Sequence, residues 1–180
     1  MLQHYHFDST CIIHYIDQKR VVFDVDLDIS REISKIVNRI KRNKNLALVF
    51  SNPALGEVFT KYVEIMSIVD KKKRVSEIDY INPIDSLIDL KSRLGNRLIL
   101  GFYGDLKLIN IFVSSLESVD KYLSDVDKLI LANAALDTSA TKLYTTDREM
   151  IYSARKLESA IVKLRKEYFK VNTRLDIVSP

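Results

Sequence analysis

The stretch Leu46-Ala47-Leu48-Val49-Phe50 is apolar without interruption, bounded by Asn45 on one side and Ser51-Asn52-Pro53 on the other. Side chains alternate between the two faces of a strand, so a run with no polar member reads as a strand covered on both faces, as in a parallel sheet. Such a strand demands helices above and below it, and the sequence supplies them. Leu55, Val58, Phe59, Tyr62, Ile65 and Met66 recur at helical spacing behind Pro53, predicting a helix from Pro53 to about Val69 with those residues on its inner side. Ser30 and Ser34, with Ile33, Ile36, Val37 and Ile40, predict another over about Ser30 to Arg42.

The remaining chain continues the alternation. Leu2 to Phe7 reads as a short strand stopping at Asp8-Ser9-Thr10, which can cap a helix from Cys11 to about Gln18. Val21 to Val25 is either a short strand or an extended connection. After a basic, polar interval from Asp70 to Asn82, a helix over Pro83 to Leu94 stops at Gly95. Arg97 to Tyr103 and Leu108 to Val113 then compete for the third strand. Ser124 can cap a helix running from Asp125 to Asp137, and Lys142 to Thr145 reads as a strand ending at Thr146-Asp147. A helix over about Arg148 to Phe169 and a short strand at Leu175 to Val178 close the chain. The expected architecture is an α/β three-layer sandwich with a mainly parallel central sheet. It forms a single domain over residues 1–180, with an extended helical C-terminal region from about 148.

Composition removes several alternatives. An apolar share of 47% with 29% charged residues excludes wholesale disorder. No apolar run approaches the ~20 residues of a bilayer span, and Met1 to Asp8 lacks the pattern of a secretion leader. The single Cys11 can form no internal disulfide and lacks thiol company for a zinc site. A cytoplasmic protein without membrane partners is expected. Lys+Arg 28 against Asp+Glu 24 gives net charge +4, which permits a polyanionic partner without requiring one. Four glycines, with no P-loop and no GxGxxG string, disfavour glycine-rich phosphate cradles.

In parallel sheets ligands gather at the carboxyl ends of the strands, and acids stand there repeatedly. Asp8 follows the first strand and Asp147 follows the Lys142 to Thr145 strand. Glu57 lies just inside the helix after the second strand, and Asp127 lies in the first turn of the Asp125 to Asp137 helix. Each has an ordinary explanation, since acids at helix N-termini cap orphan N–H groups and complement the dipole at ~0.3–1 kcal/mol apiece. Asp125 fits that capping role better than Asp127 does. Four acids at one edge, drawn from four separated segments, would repel unless a cation neutralised them. Oxygen-only donors select a hard divalent ion, Mg²⁺ or Mn²⁺.

These residues carry a resemblance. Tyr5-His6-Phe7-Asp8-Ser9-Thr10 resembles the opening of PIN-domain ribonucleases, and Ser51-Asn52-Pro53-Ala54-Leu55-Gly56-Glu57-Val58 resembles their second-strand exit with its helical glutamate. Asp127-Lys128-Leu129-Ile130-Leu131-Ala132-Asn133-Ala134 is similar to the family's Asp-x-Leu-Ile-x-Ala-x-Ala helix, and Tyr144-Thr145-Thr146-Asp147-Arg148 to its Thr-x-Asp-Arg turn. The order holds across residues 2–150. The resemblance implies metal-dependent hydrolysis of RNA phosphodiester bonds, with Asp8, Asp127 and Asp147 as ligands of Mg²⁺ or Mn²⁺. It gives Glu57 the completion of the cage or the orientation of water, and Thr145 a supporting hydrogen bond. It further implies a homodimer and, in the VapC-type toxin branch, an antitoxin protein as partner. This chain departs from that branch by extra residues around 21–29 and 70–84 and by its long charged C-terminal region.

An RNA substrate needs a cationic approach, for which Lys41-Arg42-Asn43-Lys44, Lys71 to Arg74, and Lys163 to Lys170 are the candidates. His4 and His6 share one strand face without a third nitrogen or thiol ligand and read as core or edge residues; His14 and Cys11 read as helix packing. One rival is a PIN-like module that binds RNA or assembles without catalysis. A receiver-like signalling domain, the second, needs a lysine at a late strand end, whereas Lys142 begins its strand.

Overall fold

The structure, a computed structural model, describes residues 2–17, 23, 25–72, 83–102 and 104–180. Its elements run β1 (Gln3–Phe7), α1 (Ser9–Ile16), α2 (Leu27–Arg42), β2 (Leu46–Ser51), α3 (Asn52–Lys72), α4 (Pro83–Leu94), a 3-10 turn (Gly95–Arg97), β3 (Leu98–Phe102), α5 (Leu106–Val119), α6 (Asp125–Leu136), β4 (Ala140–Tyr144), α7 (Arg148–Phe169) and β5 (Asp176–Val178). The strands form one five-stranded sheet in the order β3-β2-β1-β4-β5. Every pairing is parallel. Parallel crossovers are right-handed. The steps from β1 to β2 to β3 therefore place α1 to α4 on one face, and the return to β4 and then β5 places α5 to α7 on the other. That is an α/β sandwich with helices on both faces.

The uninterrupted apolar run is β2, buried at all six positions. On β1 the faces divide: Tyr5 and Phe7 pack with Phe50 and Tyr144, while His6 meets Phe102 edge-on on the opposite face. The third strand is the Arg97 to Tyr103 candidate; its rival Leu108 to Val113 lies inside α5, where Ile109, Phe112 and Leu116 form the buried stripe at i, i+3 and i+7. Between β2 and β3 the register slips at Phe50/Ser51 so that Leu100 faces Phe50 and Phe102 faces Ser51. The extra residue is Gly101, at φ 74, and a Cβ there would lie 2.8 Å from the Asn52 side-chain oxygen. Only glycine meets both conditions without strain.

Several boundaries differ from expectation for identifiable reasons. Helix α1 begins at Ser9, two residues before Cys11, because Asp8 itself is the N-cap and accepts the Cys11 N–H. Helix α2 begins at Leu27: Asp26 caps it, accepting from Asp28 and Ile29, and Ser30 instead turns its hydroxyl back to the Asp26 carbonyl. A serine inside the first turn reads like a cap when the true cap is an aspartate four residues earlier. Phe59, expected on the inner side of α3, is exposed, and among the described side chains of that helix the buried ones are Ala54 and Val58. Strand β4 begins at Ala140, earlier than Lys142, and the final strand is the three residues Asp176–Val178. The Met66 side chain, the Asp70 to Asn82 interval past α3 and most of Val21 to Val25 lie outside the described residues.

A buried polar cluster ties the α6 to α7 face together. The fully buried Arg165 donates to the carbonyls of Ala134, Ala135, Asp137, Ala140 and Thr173 at 2.7–3.2 Å. Those of Ala134 and Ala135 belong to the last turn of α6, whose carbonyls lack intrahelical partners, so the guanidinium serves as a C-terminal cap and complements the helix dipole. Beside it, His4 Nδ1 and His6 Nε2 stand 2.7 and 2.9 Å from one Asp137 oxygen. Burial pushes the Asp137 carboxyl up, but the two histidine bonds outweigh it and hold the group well below the ordinary carboxylate range. Burial also lowers His6, leaving it neutral near pH 7. The histidines are thus structural, as read from the sequence, although Asp137 and Arg165 were not visible there as their company.

Candidate functional site

In this strand order the chain leaves β1 toward β2 and β3, then returns to β1's other side with β4. The topological switch point therefore lies between the carboxyl ends of β1 and β4, where such sheets open a crevice for ligands. Asp8 and Thr145 stand there. The Asp8 N–H donates to the Tyr144 carbonyl at 3.0 Å, continuing the β1 to β4 ladder to its last step. The Asp8 carboxylate is buried and accepts from the Thr145 hydroxyl, the Thr10 hydroxyl at 2.9 Å and the Cys11 N–H at 2.7 Å. Burial pushes this carboxyl up against the opposing pull of those donors, and the net shift is upward. Thr145, wholly buried, also accepts the Asp147 N–H at 2.9 Å, so one hydroxyl braces two of the acids.

Glu57 sits on α3, one turn past its start. It accepts the Ser9 hydroxyl at 2.6 Å and pairs with Lys61 at 2.5 Å, one turn further along the helix. Asp127 is half-buried in the first turn of α6 and forms a capping box with Ser124: its N–H donates to the Ser124 hydroxyl at 3.1 Å, and that hydroxyl donates to its carboxylate at 2.5 Å. Asp125, expected to be the capping acid, instead faces solvent and reaches Lys128 at 3.2 Å. Asp147 caps α7, accepting the Met150 N–H at 2.7 Å.

The four positions are linked through space. Burial raises the Asp127 carboxyl first, and the negative charges of Asp147 and Glu57 raise it further. Ser9, adjacent to Asp8, holds Glu57, while Thr145 joins Asp8 to the backbone of Asp147. Segments 8, 57, 127 and 147 thus meet at one edge. Among the described residues, however, no three His, Cys, Asp or Glu side chains are drawn close enough to form a ready cation cage. The carboxylates rest on local hydroxyls, N–H groups and one lysine instead. As a donor set they fit a hard cation in type, all oxygen, and in charge, since the negative charges of Asp147 and Glu57 both act on Asp127.

Sequence reasoning named Thr145 and the four acids. It missed Ser9, Thr10 and Thr146 as a hydroxyl chain around them, in which Thr146 donates to Thr10 at 2.7 Å. Their signal was the Ser/Thr content of the two strand exits. Two of the three expected cationic approaches lie away from the acidic edge. Lys41 to Lys44 end α2 immediately before β2 begins, hence at the opposite edge of the sheet. Helix α7 starts at the acidic edge and runs away from it, so Lys163 lies about 24 Å along the axis from Asp147 at 1.5 Å per residue. Within that run Arg165 is buried and engaged with carbonyls. The Lys71 to Arg74 side chains lie outside the described residues. Cations that do stand near the acids in the chain are Lys61, one turn past Glu57, Lys121 ahead of Ser124, and the exposed Arg148 next to Asp147.

No helix among the described residues is long and apolar enough to cross a membrane. Comparison with models of known families, with curated proteins and with solved structures gives no match.

Proposed function

We propose that this chain is a PIN-like, Mg²⁺- or Mn²⁺-dependent endoribonuclease whose acids are Asp8, Glu57, Asp127 and Asp147. The observation that carries the reading is the convergence at the switch point: the Ser9 hydroxyl, next to Asp8, holds Glu57, the Thr145 hydroxyl joins the Asp8 carboxylate to the Asp147 N–H, and Asp127 lies near enough to feel the charges of Asp147 and Glu57. Asp8, Asp127 and Asp147 would hold the cation. When bound, it lowers the pKa of a water and offsets charge on the scissile phosphate. Glu57, held by Ser9 and Lys61, would complete the cage or orient the attacking water. Thr145 keeps the Asp8 carboxylate and the Asp147 backbone in fixed relation, so these two acids stay aligned with one another. A toxin role, an antitoxin partner and a homodimeric state rest on the sequence resemblance alone.

A second reading has its own observation: every acid is satisfied locally and no three form a cage, as suits a PIN-like module that binds RNA without cleaving it. One experiment separates the two. Incubating end-labelled single-stranded RNA with the wild-type chain in Mn²⁺, in EDTA, and with Asp8→Asn or Asp127→Asn in Mn²⁺ is expected to give cleavage in the first case only. Binding without products under all conditions favours the module; cleavage indifferent to EDTA and to both substitutions ends the metal mechanism.

A further inference from the structure

Tyr122 and Tyr152 are 75% and 88% exposed, the two most solvent-facing large side chains with apolar bodies among the described residues. They line one cleft of about 490 Å³ between the α5 to α6 turn and α7, together with Lys121 and Lys156. That volume lies within the range of small-ligand sites. A ring so exposed contributes little to the core, yet the backbone beneath the two rings is fixed. The buried Asp120 carboxylate accepts the Tyr122 N–H at 2.9 Å and also the hydroxyl of Ser153, the neighbour of Tyr152. One buried acid thus clamps the turn carrying the first tyrosine to the helix carrying the second. Of the three acids in the cleft, Asp120 is committed to this clamp and Glu117 to Lys128 at 3.2 Å, while Glu149, in the first turn of α7, is exposed. The Lys121 ammonium lies 5.4 Å from the Tyr122 ring centre.

The cleft adjoins the acidic edge through both of its walls. Tyr152 is five residues past Asp147 on α7, about 7.5 Å along the helix axis, and Tyr122 is two residues ahead of Ser124, which holds Asp127. Exposed aromatic rings held on a rigid base and flanked by ammonium groups are what an unpaired nucleobase and its adjoining phosphate require: a π-face to stack on and a cation to meet the backbone. We propose that Tyr122 and Tyr152 are a base-stacking platform for nucleotides of single-stranded RNA next to the acidic edge, with Lys121 and Lys156 meeting the phosphates. The inference deepens the reading of the site as an RNA site and rests on it for the choice of ligand.

The test measures binding of a short fluorescent single-stranded RNA by anisotropy in EDTA, where no metal-dependent cleavage occurs, for wild type, Tyr122→Ala, Tyr152→Ala and both Tyr→Phe variants. An abasic oligomer of equal length serves as the second probe. Each Tyr→Ala change is expected to weaken the base-bearing oligomer at least fivefold and to leave the abasic one unchanged, while the Phe variants keep wild-type affinity. Because both side chains are exposed, far-UV circular dichroism should be identical for all five proteins. Equal affinity of wild type and Tyr→Ala variants for the base-bearing oligomer overturns the platform, as does an equal loss for both oligomers. The two proposals fail separately: tyrosine-dependent binding without Mn²⁺-dependent cleavage keeps the platform and sinks the nuclease, whereas cleavage unaffected by the Tyr→Ala changes does the reverse. A wild-type chain that binds neither oligomer overturns the platform outright.

Discussion

Replacing Arg165 by Met removes the guanidinium from the centre of the α6 to α7 face while keeping a similar length of apolar chain. The carbonyl of Asp137 retains a partner, because it also accepts the Ala140 N–H at 2.9 Å. Of the other four acceptors, Thr173 is exposed to water and Ala140 lies in the β4 ladder, whereas the Ala134 and Ala135 carbonyls, in the last turn of α6, lose the donors that held them at 3.0 and 2.8 Å. Two buried acceptors left unsatisfied cost about 1–3 kcal/mol each, or about 2–6 kcal/mol together. Some of this is returned, since burying the guanidinium is itself unfavourable; burial brings its pKa down to about 10. The net expectation is a loss of about 3 kcal/mol, read by urea denaturation at pH 7 with an unchanged m-value. Arg165→Lys should recover less than half, because an ammonium cannot reach carbonyls spread over a planar fork. A loss under about 1 kcal/mol for Arg165→Met would refute the reasoning that these carbonyls depend on it.

Other expectations follow from the same geometry. Asp127 has its folded-state carboxyl raised, so the folded state holds that proton more tightly than the unfolded state does; this contribution to stability is full below the unfolded-state pKa and is lost as pH rises through the folded-state pKa. In the metal-free protein, Asp127→Asn should therefore flatten the decline in Tm as pH rises above the ordinary carboxylate range, followed by calorimetry; a steeper decline would contradict the stated repulsion. Thr145→Val removes a donor from Asp8 and an acceptor from the Asp147 N–H, and should cost about 1–3 kcal/mol by urea denaturation while weakening Mn²⁺ binding about 10- to 100-fold. Arg148→Ala should lower the salt dependence of RNA binding by about one unit of slope, and Arg42→Ala, at the far edge, should leave it unchanged; the opposite pattern would return the RNA track to the α2 end.

Much of the fold was legible because the residues that define it carry local signals. The unbroken apolar β2 announced a parallel sheet covered on both faces, and Ser124, Pro83 and Gly95 punctuate their helices where the structure does. The third strand was not decidable from Leu98–Phe102 against Leu108 to Val113, since short apolar runs fit either period, and the Gly101 bulge that fits β3 to β2 leaves no trace in hydropathy. At the candidate site, the acids and Thr145 stood out by position at the strand exits. Their partners did not. Ser9 on Glu57 and Thr10 on Asp8 are indistinguishable in sequence from ordinary first-turn residues. Arg165 looked like one member of a charge run because its burial depends on α6 and β4 arriving from 25–31 positions earlier. The roles of cap and ligand also coincide: Asp8 and Asp147 do cap helices, and capping is what aims their carboxylates at the strand ends.

A metal-dependent site requires the acids of segments 8, 57, 127 and 147 to act as one receptor for a hard cation. Titrating Mn²⁺ into the metal-free chain by calorimetry, for wild type and for Asp8→Asn, Asp127→Asn and Asp147→Asn, tests this most directly. The prediction is saturable binding by the wild type and at least tenfold weaker binding by each variant. Identical binding isotherms for all four proteins, or no binding by the wild type, would contradict it.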